Sequence, residues 1–270
     1  MLKRRIIPCL DIRRGKVVKG VHFGGLRDPE DPVEAARAYD AQGADELCLI
    51  DITGTTEGRE MFVDVIRRVS PSLFVPLMVG GGVRREQDVQ RLLDAGADRV
   101  VINSAAVQNP RLVEHLAAVY GSQTIVGAVD VRRLPPRPGD PEPLYEVVIH
   151  EGSRGTGLDA LHYCEQLAEL GVGELLLTSM DRDGTRDGYD LWITREVARR
   201  VDVPVIASGG VGSLEHLREG LATGMGEAEA AIAASIFHFG LYTIAQAKKY
   251  LLEHDIPVRP PEIPRPNVIV

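Results

Sequence analysis

Short apolar runs recur along this chain at a nearly constant step, and that step leaves few folds open. They read IIPCLD (6–11), LCLID (47–51), PLMVGG (76–81), RVVIN (99–103), TIVGAVD (124–130), ELLLTSMD (174–181), PVIASGG (204–210) and EAAIAAS (229–235). Their last residues span 224 positions in seven steps, or 32 per step. That is about the length of one βα unit. Continuous runs of Val, Ile and Leu are the pattern of parallel strands covered on both faces. Helical patterns fill the gaps. Asp31-Pro32-Val33-Glu34 offers an N-cap, a proline at the first helical position and a glutamate three residues after the cap. Gly43, Gly96 and Gly171 close three such segments. The eighth run is alanine-rich and equally compatible with helix. With the other seven it predicts a single α/β domain, a (β/α)8 TIM barrel over residues 1–255.

The barrel is expected to consist of two similar halves. VPLMVGGGV (75–83) matches VPVIASGGV (203–211) at a spacing of 128, and LIDITGT (49–55) matches SMDRDGT (179–185) at 130. Asp11 and Asp130 lie 119 apart, and Ser104 and Ser235 lie 131 apart. Four matches in register point to a repeat of four βα units. Two segments fall outside the pattern. RRLPPRPGDPEPL (132–144) reads as an exposed excursion after strand five. The proline-rich tail, residues 256–270, reads as extended and mobile.

Charge and cysteine usage narrow the function. A formal net charge of -8 argues against a surface that coats nucleic acid, which needs clustered Lys and Arg. Cys9, Cys48 and Cys164 are far apart and include no C-x-x-C, so neither a disulfide scaffold nor a zinc site is expected. The seven histidines show no metal-ligand spacing. The N-terminus lacks a signal-peptide apolar core, and no run approaches the roughly 20 apolar residues of a membrane span. A cytoplasmic protein without membrane attachment is expected.

In such a barrel the working groups sit at the C-terminal ends of the strands. Asp11 and Asp130 end strands one and five, which face each other across eight strands. Two carboxylates on opposite walls of one mouth can act as general acid and general base on a substrate between them. Either alone could instead cap a helix or pair with Arg13 or Arg132. Gly80-Gly81-Gly82 after strand three and Ser208-Gly209-Gly210 after strand seven let backbone approach an anion at a helix start. Asn103-Ser104 and Ala234-Ser235 add hydroxyls and amides to each. The doubled construction suggests a ligand with a phosphate at each end; the plainer alternative is tight βα turns. The long first loop, 13–28, reads as a lid whose Lys16 or Lys19 reaches a phosphate, or as a solvated loop.

These residues resemble a known family. IIPCLDI, GKVVKGVHF, LIDIT, VGGGVR, VVINSAA, DRDGTRDGYD, ASGGVG and AASIFH are similar to the cyclase subunits of imidazole glycerol phosphate synthase, from histidine biosynthesis, over residues 2 to about 255. The isomerase of the preceding step, which acts on phosphoribosylformimino-AICAR phosphate, shares the repeat and an aspartate pair. Cys9-Leu10-Asp11, Lys19-Gly20-Val21 and the DRDGTRDGYD loop favour the cyclase. The resemblance implies a lyase working as a heterodimer with a glutaminase subunit. Ammonia released there passes through the barrel and converts N'-phosphoribulosylformimino-AICAR phosphate to imidazole glycerol phosphate and AICAR phosphate. By the same resemblance Asp11 and Asp130 are catalytic. Lys19, Asn103 and Asp183 bind substrate, and Gly82, Ser104, Gly210, Ala234 and Ser235 fall at the phosphate sites. No metal or organic cofactor is implied. Arg5, Glu46, Arg99 and Glu174 form a charged ring where ammonia enters, with Asp98 and Gln123 facing the partner. Position 99 carries arginine where many relatives have lysine. Arg5 and Asp11, six apart, can share the barrel interior; Glu46 and Asp51, five apart, cannot both do so by parity. A non-catalytic phosphate-binding scaffold is the remaining alternative.

Overall fold

A computed structural model describes residues 2–18, 30–52, 56–136, 139, 141–150 and 152–261. Its strands are β1 (Arg5–Arg13), β2 (Lys16–Val17), β3 (Leu47–Asp51), β4 (Leu77–Gly80), β5 (Arg99–Ile102), β6 (Ile125–Arg133), β7 (Tyr145–Ile149), β8 (Arg154–Asp159), β9 (Glu174–Ser179), β10 (Val205–Ser208) and β11 (Ala230–Ala233). The helices are α1 (Pro32–Ala41), α2 (Thr56–Val69), α3 (Glu86–Asp94), α4 (Ser104–Gln108), α5 (Pro110–Tyr120), α6 (Ala160–Glu169), α7 (Leu191–Arg200), α8 (Leu214–Leu221), α9 (Ser235–His238) and α10 (Ile244–Glu253). Eight strands pair in parallel in the order β5-β4-β3-β1-β11-β10-β9-β6, and β5 pairs with β6 to close the ring. The fold is the expected (β/α)8 barrel. All eight apolar runs are its strands, including the alanine-rich one, whose four strand residues are buried.

Strand periodicity divides the core into two layers. On β1, Ile6, Leu10 and Ile12 face the helices while Ile7 and Cys9 face the lumen. Cys48, Met78, Val101, Val126, Leu176, Ile206 and Ile232 fill the lumen from the other strands. Helix starts follow their caps. The Asp31 carboxylate accepts from Val33 N at 3.1 Å with Pro32 behind it, and Asp159 and Ser213 cap α6 and α8. Asp31 and Pro32 fill the cap and first-position roles read from the sequence.

The repeat reappears as hydrogen bonding. Asp45 donates its N–H to Ile6 O (3.2 Å) and accepts Ile6 N on its carboxylate (2.9 Å), clipping β1 to the start of β3. Asp98 does the same with Leu77 (2.9 and 2.8 Å), and Glu229 with Val205 (3.0 and 2.9 Å). Leu77 and Val205 are one repeat spacing apart. At the fourth such seam Gly173 donates to Ile125 O at 2.9 Å, and a Cβ there would lie 2.3 Å from Ser122 O.

Both aspartate-bearing strands run past the barrel and turn back. β1 pairs antiparallel with β2 through a tight turn at Arg14 and Gly15, both at positive φ. β6 pairs antiparallel with β7, and β7 with β8. The 132–144 excursion is thus the connection of a small three-stranded flap. Tyr145 anchors the flap by stacking on Trp192 at 5.6 Å and donating to the Asp190 carboxylate at 2.9 Å. The tail departs from expectation at its start. Ile256 and Val258 are buried, Arg4 donates its N–H to Pro257 O at 2.7 Å, and Arg259 bonds Asp45 and Ala44 O. Residues 256–259 are therefore docked rather than mobile, held by apolar burial and a guanidinium pair. Residues 262–270 lie outside the described residues.

Candidate active site

β1 and β6 have three strands between them in either direction round the barrel, so Asp11 and Asp130 stand on opposite walls. Neither ends its strand as expected; the antiparallel extensions carry β1 on to Arg13 and β6 on to Arg133. Asn103, at the end of β5, donates its Nδ2 to Asp130 Oδ2 at 2.9 Å. Burial pushes the Asp130 carboxyl up to about 6; the Asn103 bond opposes this and the nearby Asp183 charge adds to it. Near neutral pH such a group exchanges a proton readily, as acid/base catalysis requires.

Asp183 lies on the exposed loop after β9, its N–H donating to Ser179 O at 2.9 Å. That loop packs against the glycine turn after β10. A Cβ on Gly209 would lie 2.8 Å from Ser179 O, and one on Gly210 2.3 Å from Gly188 O. The turn after β4 is equally tight. Gly81 has φ +107° and a Cβ there would lie 2.3 Å from Asp51 O, while Gly82 has φ +65° beside the Arg59 guanidinium. Gly81→Ala is expected to destabilise the fold by roughly 2–4 kcal/mol, since left-handed strain and a backbone clash coincide. A denaturant midpoint within error of the parent would contradict this.

Asn103 and Ala234, 131 apart, share nearly the same φ (-117° and -118°) just before the short helices that open with Ser104 and Ser235. Both turns and both serines thus edge the mouth that carries the aspartates, one set in each half. Ser104 Oγ accepts from His150 N of the flap at 3.5 Å. Lys19, most of the 13–28 loop and Thr53–Thr55 lie outside the described residues.

At the other mouth the four charges form one connected ring. The Arg5 guanidinium donates to Glu46 Oε2 at 2.8 Å and bonds Glu174 through both terminal nitrogens. Arg99 Nη1 donates to Glu174 Oε2 at 2.5 Å and lies 3.5 Å from Glu46 Oε2. Both glutamates are buried, Glu46 with 1 % of its surface exposed. Burial raises the Glu46 carboxyl; Arg99 and Arg5 act against it. Its Oε1 has no hydrogen-bond partner among the described residues. Glu46 joins the ring because Cys48 and Ile50 face the lumen, which assigns the even positions of this strand to the interior. Asp98 and Gln123 are exposed on this side, and the Asp98 carboxylate also serves the seam with Leu77. The seam role was not visible in the sequence; only the 128-residue repeat, aligned beyond its motifs, hints at it.

Residues 5–243, which include both aspartates and the whole ring, match the family model described as "Histidine biosynthesis protein".

Proposed function

The chain belongs to the histidine biosynthesis protein family, and from that premise we propose that it is the ammonia-using cyclase of imidazole glycerol phosphate formation. The isomerase of the same pathway is the other enzyme to separate from it. The observation that carries the cyclase reading is the Arg5–Glu46–Arg99–Glu174 ring closing the mouth opposite the aspartates. An isomerisation has one substrate and no use for a polar aperture at the far end of the barrel. A cyclase fed with ammonia from a glutaminase bound at that end does. Cys9-Leu10-Asp11 and the 181–190 loop support the same choice.

In this reading the diphosphorylated substrate spans the mouth. One phosphate sits by Gly82, Asn103 and Ser104, the other by Gly210, Ala234 and Ser235, with Lys19 reaching over from the first loop. Asp11 and Asp130 flank the reacting centre and move the protons that ring closure and cleavage require. Asn103 fixes the Asp130 carboxylate, and Asp183 sets the local field. The glutaminase contacts the ring face, with Asp98 and Gln123 at its rim.

The deciding assay uses the purified chain at high ammonium and mildly alkaline pH, with each pathway intermediate separately. Consumption of the ribulosyl form with imidazole glycerol phosphate as product supports the cyclase. Conversion of the ribosyl form supports the isomerase, and inertness toward both supports a scaffold.

The pH profile gives a residue-level check. At constant free ammonia, kcat/KM is expected to bend near pH 6, where Asp130 titrates. Asn103→Ala removes the bond that holds this carboxyl down, so the bend should move to higher pH. Asp183→Asn should move it lower. A bend that ignores both changes belongs to another group.

A further inference from the structure

Two of the three cysteines meet inside the barrel. Cys9 on β1 and Cys48 on β3 are direct register partners in the parallel ladder, and both side chains belong to the lumen cluster. Cys9 is partly exposed, whereas Cys48 is fully buried. Cys164 is buried in the outer layer between sheet and helices, away from both. We infer that Cys9 and Cys48 are a peroxide-sensitive dithiol whose reversible disulfide displaces the strand that carries Asp11.

The geometry allows the bond and makes it labile. Neighbouring strands lie roughly 4.8 Å apart, within the ~4.4–6.8 Å Cα window of a disulfide. Facing Cβ atoms must close to about 3.8 Å, so bonding pinches β1 toward β3. Strained disulfides are the readily reduced, regulatory kind. Asp11 lies two residues beyond Cys9 on the same face of β1, so the pinch is felt there. The chemistry balances. Hydrogen peroxide oxidises the Cys9 sulfur to a sulfenic acid and leaves one water. The Cys48 sulfur then attacks that sulfur, forms the S–S bond and expels a second water. A thiol reductant restores both thiols. The adjoining Cys48 thiol and burial raise the Cys9 thiol pKa, so oxidation is slow at neutral pH and quickens as pH rises.

The test treats the full chain with hydrogen peroxide at mildly alkaline pH and reads intact mass and the peptide map. The expected product has lost two hydrogens, carries a Cys9–Cys48 cross-linked peptide, leaves Cys164 alkylatable after denaturation, and reverts with dithiothreitol. In Cys48→Val the oxidation should stop at a Cys9 sulfenic acid that dimedone traps. A Cys9 sulfinic acid in the parent chain, a bond between chains, or an unchanged mass would overturn the inference. The mass readout is independent of the reaction catalysed. Turnover rests on the proposed function: it should fall ~10–100-fold as the cross-link forms, recover with reductant, and resist peroxide in Cys48→Val more than in the parent. A cross-link that leaves turnover unchanged would overturn the switch.

Discussion

Asp130→Asn is expected to cut turnover by about 10²–10⁴-fold and, at pH 8, to raise the stability of the fold. Both effects follow from one environment. Burial pushes the Asp130 carboxyl up to about 6 from an ordinary value of 3.8. A group whose folded pKa lies above its unfolded value favours folding when protonated; that contribution is whole below the unfolded pKa and is lost as pH rises through the folded one. At pH 8 the buried carboxylate is ionised, and asparagine removes a penalty on the order of 1–3 kcal/mol. The gain should shrink as pH falls through 6 and vanish below about 4. Thermal melts of parent and variant across this range, beside single-substrate kinetics, check both claims. An inactive variant that is also less stable at pH 8 would show that Asp130 is a structural group.

Arg5→Ala should produce the largest loss of stability among single changes at the opposite mouth. Arg5 bonds both Glu46 and Glu174, whose side chains are only 1% and 4% exposed. Removing it leaves two buried carboxylates with Arg99 alone between them. Breaking one partner out of a buried ion pair costs about 3–5 kcal/mol. The lower end applies, because Arg5 is itself 23% exposed and water can enter behind it. That corresponds to a drop in Tm of roughly 6–12 °C. The pH sign is fixed by Glu46, whose carboxyl is already raised by burial. Without Arg5 it rises further, so the deficit is full at pH 8 and narrows as protonation relieves the charge toward pH 5. Equal melting points at pH 8 would show that the ring is electrostatically idle. Under the cyclase reading the variant should keep its ammonium-driven turnover once folded, since the aspartates are untouched.

The eight barrel strands were legible because they are covered on both faces, which demands unbroken apolar runs, and a steady 32-residue step made their arrangement plain. The placement of Asp11 and Asp130 on opposite walls followed from the order and symmetry of the runs, although both strands continue past them. Other features were hidden for specific reasons. YEVVI forms β7, yet the same step left no place for an extra strand between the fifth and sixth. β8, RGTGLD, is an exposed edge strand with two glycines and no apolar signature. The seam carboxylates Asp45, Asp98 and Glu229 are single residues before strands, and nothing local separates them from solvated charge. Glu46 required the lumen parity of β3, and the sequence offered Asp51 as the obvious, misleading anchor. The Cys9–Cys48 pairing is a matter of register between strands 39 residues apart, which parallel connections do not encode locally.

The docked start of the tail bears on how this protein is handled at the bench. Pro257 holds the backbone of Arg4, immediately before ring residue Arg5, and Arg259 grips Asp45, immediately before ring residue Glu46. Lys248, wholly buried on α10, grips the same Asp45 oxygen at 2.6 Å. Residues 257–259 are thus a rivet through two adjacent staves of the barrel at their aperture. A chain stopped at residue 255 would keep every strand and both aspartates while losing that rivet. Truncations made for handling therefore belong beyond residue 259, where the rivet stays whole.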